Sequence, residues 1–107
     1  MNNPYSSGTA DVWYSGKKAD LWVEYKYLPR TPQRAQVSPY KLLSSLQLEW
    51  LEGRYAEGRN VFVIIGCPDG GVVLCAPELR QDIPAETFRE RLQSRVQLAE
   101  WILTQVS

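Results

Sequence analysis

The stretch Asp20–Leu28, DLWVEYKYL, decides how this chain folds. Trp22, Val23, Tyr25, Tyr27 and Leu28 are the aromatic and branched residues that strands favour. Inside the run stand Glu24 and Lys26. Side chains two apart on a strand point to the same face. One face of this strand therefore carries Asp20, Trp22, Glu24 and Lys26, with a carboxylate beside an ammonium in an otherwise core-forming segment.

The elements on either side fit around that strand. Upstream, TADVWY (Thr9–Tyr14) alternates enough to be a strand, and SGKK turns the chain, so the two form a hairpin. Downstream, PRTPQRAQVSP has three prolines and no periodicity, which predicts a long loop of the kind that carries function or moves. SSLQLEWLEGRYAEG predicts a helix capped at Ser44 or Ser45 and ended by Gly58, with Leu43, Leu46, Trp50 and Leu51 on one stripe. NVFVIIG (Asn60–Gly66) is a continuous apolar run, expected as a central strand buried on both faces. CPDGG turns into the strand VVLCA. A single long helix is expected from Ala85 to Val106. Its stripe of Phe88, Leu92, Val96, Ala99 and Leu103 would cover the sheet. Leu98, Trp101 and Ile102 are left on an adjoining face, which predicts a homodimer through that face unless Trp101 folds back onto Trp50. The expected order is β-β-α-β-β-α: one α/β (α+β) domain over residues 1–107, with a four-stranded mixed sheet flanked by helices.

Composition removes several chemistries. The 107 residues include no histidine, which excludes Ser-His-Asp and Cys-His nucleophile systems and His-ligated zinc. Any metal must be held by oxygen donors, which points to Mg2+ or Mn2+. No apolar run reaches the length of a membrane span, and the polar opening MNNPYSSG is not that of a signal peptide, so a cytoplasmic protein is expected. Cys67 and Cys75 flank the PDGG turn. They could pair across a hairpin, but reduced thiols are the expectation for that compartment. The net charge is zero, yet Tyr25–Leu48 holds four cations and no acid. Arg30, Arg34 and Lys41 in that arm are candidate phosphate contacts, against the plain alternative of a solvated loop.

If the first two strands pair, Asp11 comes near Glu24. Two close carboxylates repel unless a cation lies between them. Lys26, one step along the same face, could then stabilise negative charge developing on a phosphodiester. Gln47 falls on the packing face of the first helix, where an unpaired amide would be costly, so it needs a polar partner such as a phosphate or Lys26. Glu24 and Lys26 alone would be an ion pair on an exposed sheet edge. Gln47 alone could simply bond to backbone. Trp13, Trp22, Trp50 and Trp101 are core candidates, with Trp22 also placed to stack on a base or sugar.

Asp11, twelve residues, then Glu24-Tyr25-Lys26 resembles the D-x(n)-ExK signature of the PD-(D/E)XK nucleases. The surroundings resemble the VRR-NUC branch of that superfamily: GTAD (Gly8–Asp11), VEYK, SSLQLEWL (Ser44–Leu51), then a glycine and an apolar strand in EGRNVFVIIG. Ala10 stands where a proline often precedes the aspartate, and the loop after Lys26 is longer than usual there. The resemblance implies a restriction-endonuclease-like core. It implies Asp11, Glu24 and the Tyr25 carbonyl as metal ligands, Lys26 as the catalytic lysine and Gln47 as an auxiliary active-site residue. Many members carry an additional acid, for which Asp20 is a candidate here. The small stand-alone members it most resembles are phage or prophage enzymes, often dimeric, that cut branched DNA such as four-way (Holliday) junctions. That implies a Mg2+-dependent endodeoxyribonuclease acting in a bacterial host cell. The alternative is a catalytically weak nuclease-fold protein that binds nucleic acid or protein.

Overall fold

In a computed structural model the chain is described over residues 8–107. The opening MNNPYSSG, apart from Gly8, lies outside the described residues. The hairpin forms as β1 (Val12–Ser15) and β2 (Asp20–Tyr27), antiparallel, with Val12 opposite Val23 and Trp13 opposite Trp22. The strand NVFVIIG becomes β3 (Val61–Cys67), which lies parallel to β2 with Glu24 opposite Val63. Its antiparallel partner on the far side is β4 (Gly70–Cys75). The sheet order β1-β2-β3-β4 makes it a four-stranded mixed sheet in an α+β fold, as expected. Parallel pairing of β2 and β3 requires a crossover, supplied by α1 (Pro39–Leu42) and α2 (Ser45–Ala56). The short α1 lies at the end of the stretch expected to be only loop. That stretch is also tied down. Val37 and Ile83 exchange backbone hydrogen bonds of 2.8 and 2.7 Å, and the Arg89 guanidinium donates to the carbonyls of Pro32 and Gln33.

The sheet is covered on both faces. On one side β3 and β4 contribute Val61, Val63, Ile65, Val72 and Leu74 to a core closed by Leu48 and Leu51 of α2 and by Phe88, with Trp22 and Trp50 at its margin. On the other, Leu21, Val23 and Ile64 pack with Leu98, Trp101, Ile102 and Val106. β3 is thus buried from both sides, which explains its uninterrupted apolar sequence.

The C-terminal half departs from expectation. The single helix from Ala85 to Val106 is two: α3 (Ala85–Glu90) and α4 (Arg95–Val106). The break falls at a capping box. Ser94 Oγ accepts from Gln97 N at 3.2 Å, and Gln97 Oε1 accepts from Ser94 N at 2.8 Å. Just before it, Gln93 exchanges backbone bonds with Gly71 at the free edge of β4, and the chain passes from one face of the sheet to the other. Gly70 sits at φ +137°, and a β-carbon there would collide with the Gln93 carbonyl.

The break reverses the expected faces of the last helix. Leu98, Trp101 and Ile102, expected at a dimer contact, pack on the chain's own sheet, and Trp101 meets Phe62 edge-on at 4.9 Å. Val96 and Leu103, expected to cover the sheet, are 67% and 61% exposed. Trp101 also cannot fold onto Trp50, which lies on the opposite face.

Cys67 and Cys75 are both free thiols. Cys67 pairs with Gly70 and Cys75 with Phe62, so they stand about 16 Å apart along the hairpin, too far to be bridged. No helix among the described residues is long and apolar enough to cross a membrane.

Candidate active site

The site lies where β1 ends. The antiparallel ladder stops at Val12–Val23, and the next rung would join Tyr25 to Ala10. The Asp11 side chain takes that place instead: Asp11 Oδ2 accepts from the Tyr25 amide at 3.2 Å. This is why β1 begins at Val12 and not at Thr9 as expected. In return, the Asp11 amide donates to Glu24 Oε1 at 3.2 Å. Gly8 permits the approach. At φ +86° it passes so close over the first turn of α2 that a β-carbon would overlap the Leu46 carbonyl.

Glu24 is only 1% exposed, on an interior strand. Three donors reach its carboxylate: the Asp11 amide on Oε1, and Gln47 Nε2 at 3.0 Å with Lys26 Nζ at 3.4 Å on Oε2. The Glu24–Lys26 pair is therefore not a pair on an exposed edge. Burial pushes the Glu24 carboxyl above its ordinary range, and the nearby Asp11 charge pushes it further; Lys26 pulls it back. Gln47 combines its two expected readings. Its Oε1 accepts from the Ser44 amide at 3.0 Å in a capping box closed by Ser44 Oγ, which locks the rotamer and aims Nε2 at Glu24. Its partner is thus the carboxylate and not Lys26.

Asp11, Glu24, Lys26, Gln47 and the Tyr25 backbone are all brought to one place. The Tyr25 amide faces β1, whereas Trp22 and Leu28 donate to β3, so by the pleat the Tyr25 carbonyl lies on the Asp11 side. No backbone donor among the described residues takes it. Among the described residues a single donor reaches Glu24 Oε1, and none occupies Asp11 Oδ1. Two carboxylates and a carbonyl suit a hard cation. Mg2+ retains waters and needs only one or two protein carboxylates, so the absence of a three-acid cluster among the described residues is compatible with it.

Other candidates lie apart. Asp20 is four residues back on β2, about 13 Å away by strand rise, and accepts from Ser15 Oγ at 3.0 Å; it does not complete this site. Arg30, Arg34 and Lys41 are exposed, and none forms an ion pair among the described residues. Arg30 and Lys41 line a shared groove with Leu28, Val37 and Leu42; Arg34 does not. Two features escaped sequence reasoning. One is the Ser44–Gln47 capping box, whose signal was the S-x-x-Q spacing; Ser44 was expected only as one of two possible caps. The other is a run of three rings, Trp13 stacked on Trp22 and Trp22 edge-on to Trp50, legible only once the register is known.

No protein-family model matches this sequence, and no curated protein matches it closely enough to count as a relative.

Proposed function

We propose that the protein is a metal-dependent endonuclease that hydrolyses phosphodiester bonds in DNA, with a preference for branched structures such as four-way junctions. The observation that carries this reading is the Glu24 carboxylate, raised by its burial and then by the charge of Asp11, and held by Gln47 and Lys26 at the frayed end of a hairpin. Asp11, Glu24 and the Tyr25 carbonyl would hold Mg2+ or Mn2+, which supplies Lewis-acid stabilisation of phosphoryl charge. The chain's own groups do the positioning. Gln47 fixes the Glu24 carboxylate through Oε2. Lys26 Nζ, with 26% of its side chain exposed, carries positive charge to the site mouth, where it can meet a phosphate oxygen as negative charge grows. Asp11 Oδ2 holds the Tyr25 backbone in register.

Cleavage of duplex, flap and four-way-junction DNA with Mg2+ or Mn2+ tests the reading, and cutting of the junction ahead of the plain duplex is the expected result. Binding without cutting on any of these would favour the second reading, a nucleic-acid-binding module. The observation behind that reading is the Glu24–Lys26 pair, which already partly compensates the carboxylate.

The basic arm is proposed to contact backbone phosphates. Alanine at Arg30, Arg34 and Lys41 together should weaken DNA binding whatever the sequence, and reduce the salt slope by up to about 0.9 per lost contact. An unchanged slope returns the arm to the role of solvated surface. We further propose that two copies act together to cut two strands, within a bacterial host cell. Light scattering at micromolar concentration should then report a dimer, and a monomer there contradicts it. Such a dimer must use a surface other than the Trp101 face, which the sheet occupies.

A further inference from the structure

Trp13 is 54% exposed, unusual for so large an apolar ring, and it is not loose. It lies nearly parallel on Trp22, with centroids 5.9 Å apart and planes at 27°. Trp22 in turn meets Trp50 edge-on at 5.6 Å, and the Arg54 guanidinium lies over Trp50 at 5.9 Å. One face of the outermost aromatic is thus braced through two further rings into the helix layer, and the ring is fixed before any partner arrives. Its place matters as much as its rigidity. Trp13 opposes Trp22 in the register, which makes it the diagonal neighbour of Glu24 on the same sheet face, about 7–8 Å away. Asp11, two residues earlier on the same chain segment, stands just past the end of the ladder.

We infer that Trp13 is a stacking platform for an unpaired nucleobase of the substrate strand, next to the carboxylate pair. The inference rests on nucleic acid being the substrate of that site. A base inside a duplex has both faces covered by its neighbours, so only an unpaired or splayed base can lie on the ring. The platform therefore selects DNA with single-stranded character beside the cut, as a branch point offers. Stacking is tolerant of sequence, because every base has a π-face. It is also independent of salt release, unlike the contacts of Arg30, Arg34 and Lys41.

The test is binding in EDTA, where no cleavage is needed, followed by fluorescence anisotropy of a labelled single-stranded oligonucleotide and a blunt duplex. Trp13→Ala should bind the single strand roughly 5- to 150-fold more weakly, the equivalent of one lost stacked base, and the duplex almost unchanged. Trp13→Phe should recover most of the loss, and the salt slope should match that of the wild type. A second measurement needs no alanine variant: moving one abasic position along the strand should cost the wild type affinity at one location. Equal single-strand affinity in wild type and Trp13→Ala overturns the inference. So does an equal loss on blunt duplex, an abasic scan with no sensitive position, or a loss explained by a change in oligomeric state. Failure of cleavage with this binding pattern intact would remove the hydrolytic reading and leave the platform standing.

Discussion

Asp11→Asn is expected to lower DNA cleavage by at least about a hundredfold while leaving the fold intact. Asparagine has nearly the same volume, and its carbonyl can still accept from the Tyr25 amide, so the join between β1 and β2 survives. What disappears is one of two negative charges that a cation would bridge. The same change has a signature in stability. Burial and the Asp11 charge raise the Glu24 carboxyl. A carboxyl raised on folding contributes stability that is fully present below its unfolded value and lost as pH rises through its folded value. The metal-free wild type therefore carries a penalty at neutral pH that Asp11→Asn partly removes. Its melting temperature without metal should exceed that of the wild type at pH 7, with the gap closing toward pH 4. Added Mn2+ should raise the melting point of the wild type and not of the variant. Glu24→Gln is not equivalent. Among the described residues the donors to Glu24 are the Asp11 amide on Oε1 and Gln47 and Lys26 on Oε2, so an amide there turns its N–H2 toward one of these donors even with the Asp11 carboxylate close by. It should lose activity and also about 1–3 kcal/mol of stability by chemical denaturation. Full cleavage in either variant would remove Asp11 and Glu24 from the chemistry.

Lys26→Met is expected to lower the cleavage rate by about a hundred- to a thousandfold, with a smaller effect on substrate binding. Lys26 is one cation against the basic arm's three, so its removal should alter the salt slope little. It is, however, the cation within 3.4 Å of the buried carboxylate. Without it the Glu24 carboxyl rises further, since Lys26 is the group pulling it down. By the same sign argument the variant should be less stable than the wild type at pH 7 and recover as the pH falls toward the ordinary carboxylate range. Lys26→Arg keeps the charge and should restore the pH profile of stability. Measured kcat in the two variants, alongside melting curves from pH 4 to 8, separates a charge at the reaction from a merely structural ion pair. A Lys26→Met protein that cuts at the wild-type rate would leave only the structural role.

The strands, and the side chains of Asp11, Glu24, Lys26 and Gln47 that the fold brings together, were legible from local signatures. DLWVEYKYL is a strand by composition, NVFVIIG is buried by its lack of polar residues, and Glu24 and Lys26 share a face by simple alternation. What the sequence hid depends on contacts across the chain. The break between α3 and α4 rests on a serine and glutamine that look polar on any helix, together with a backbone pairing between Gln93 and Gly71. Missing that break shifts the helical phase, so the apolar stripe from Val96 to Leu103 was assigned to the wrong side. Gln47 shows the same limit more finely. Its need for a partner could be argued from its place on the packing face, but only the geometry shows one end spent on Ser44 and the other on Glu24.

Asp11, Glu24 and the Tyr25 carbonyl are proposed to form a seat for one divalent cation. Titration of Mn2+ into the DNA-free protein, followed by electron paramagnetic resonance of the free ion, tests it most directly. One ion should bind per wild-type chain, that binding should be lost in Asp11→Asn, and Lys26→Met should retain the site. Binding that is identical in wild type and Asp11→Asn, or no binding in the wild type up to millimolar Mn2+, would contradict it.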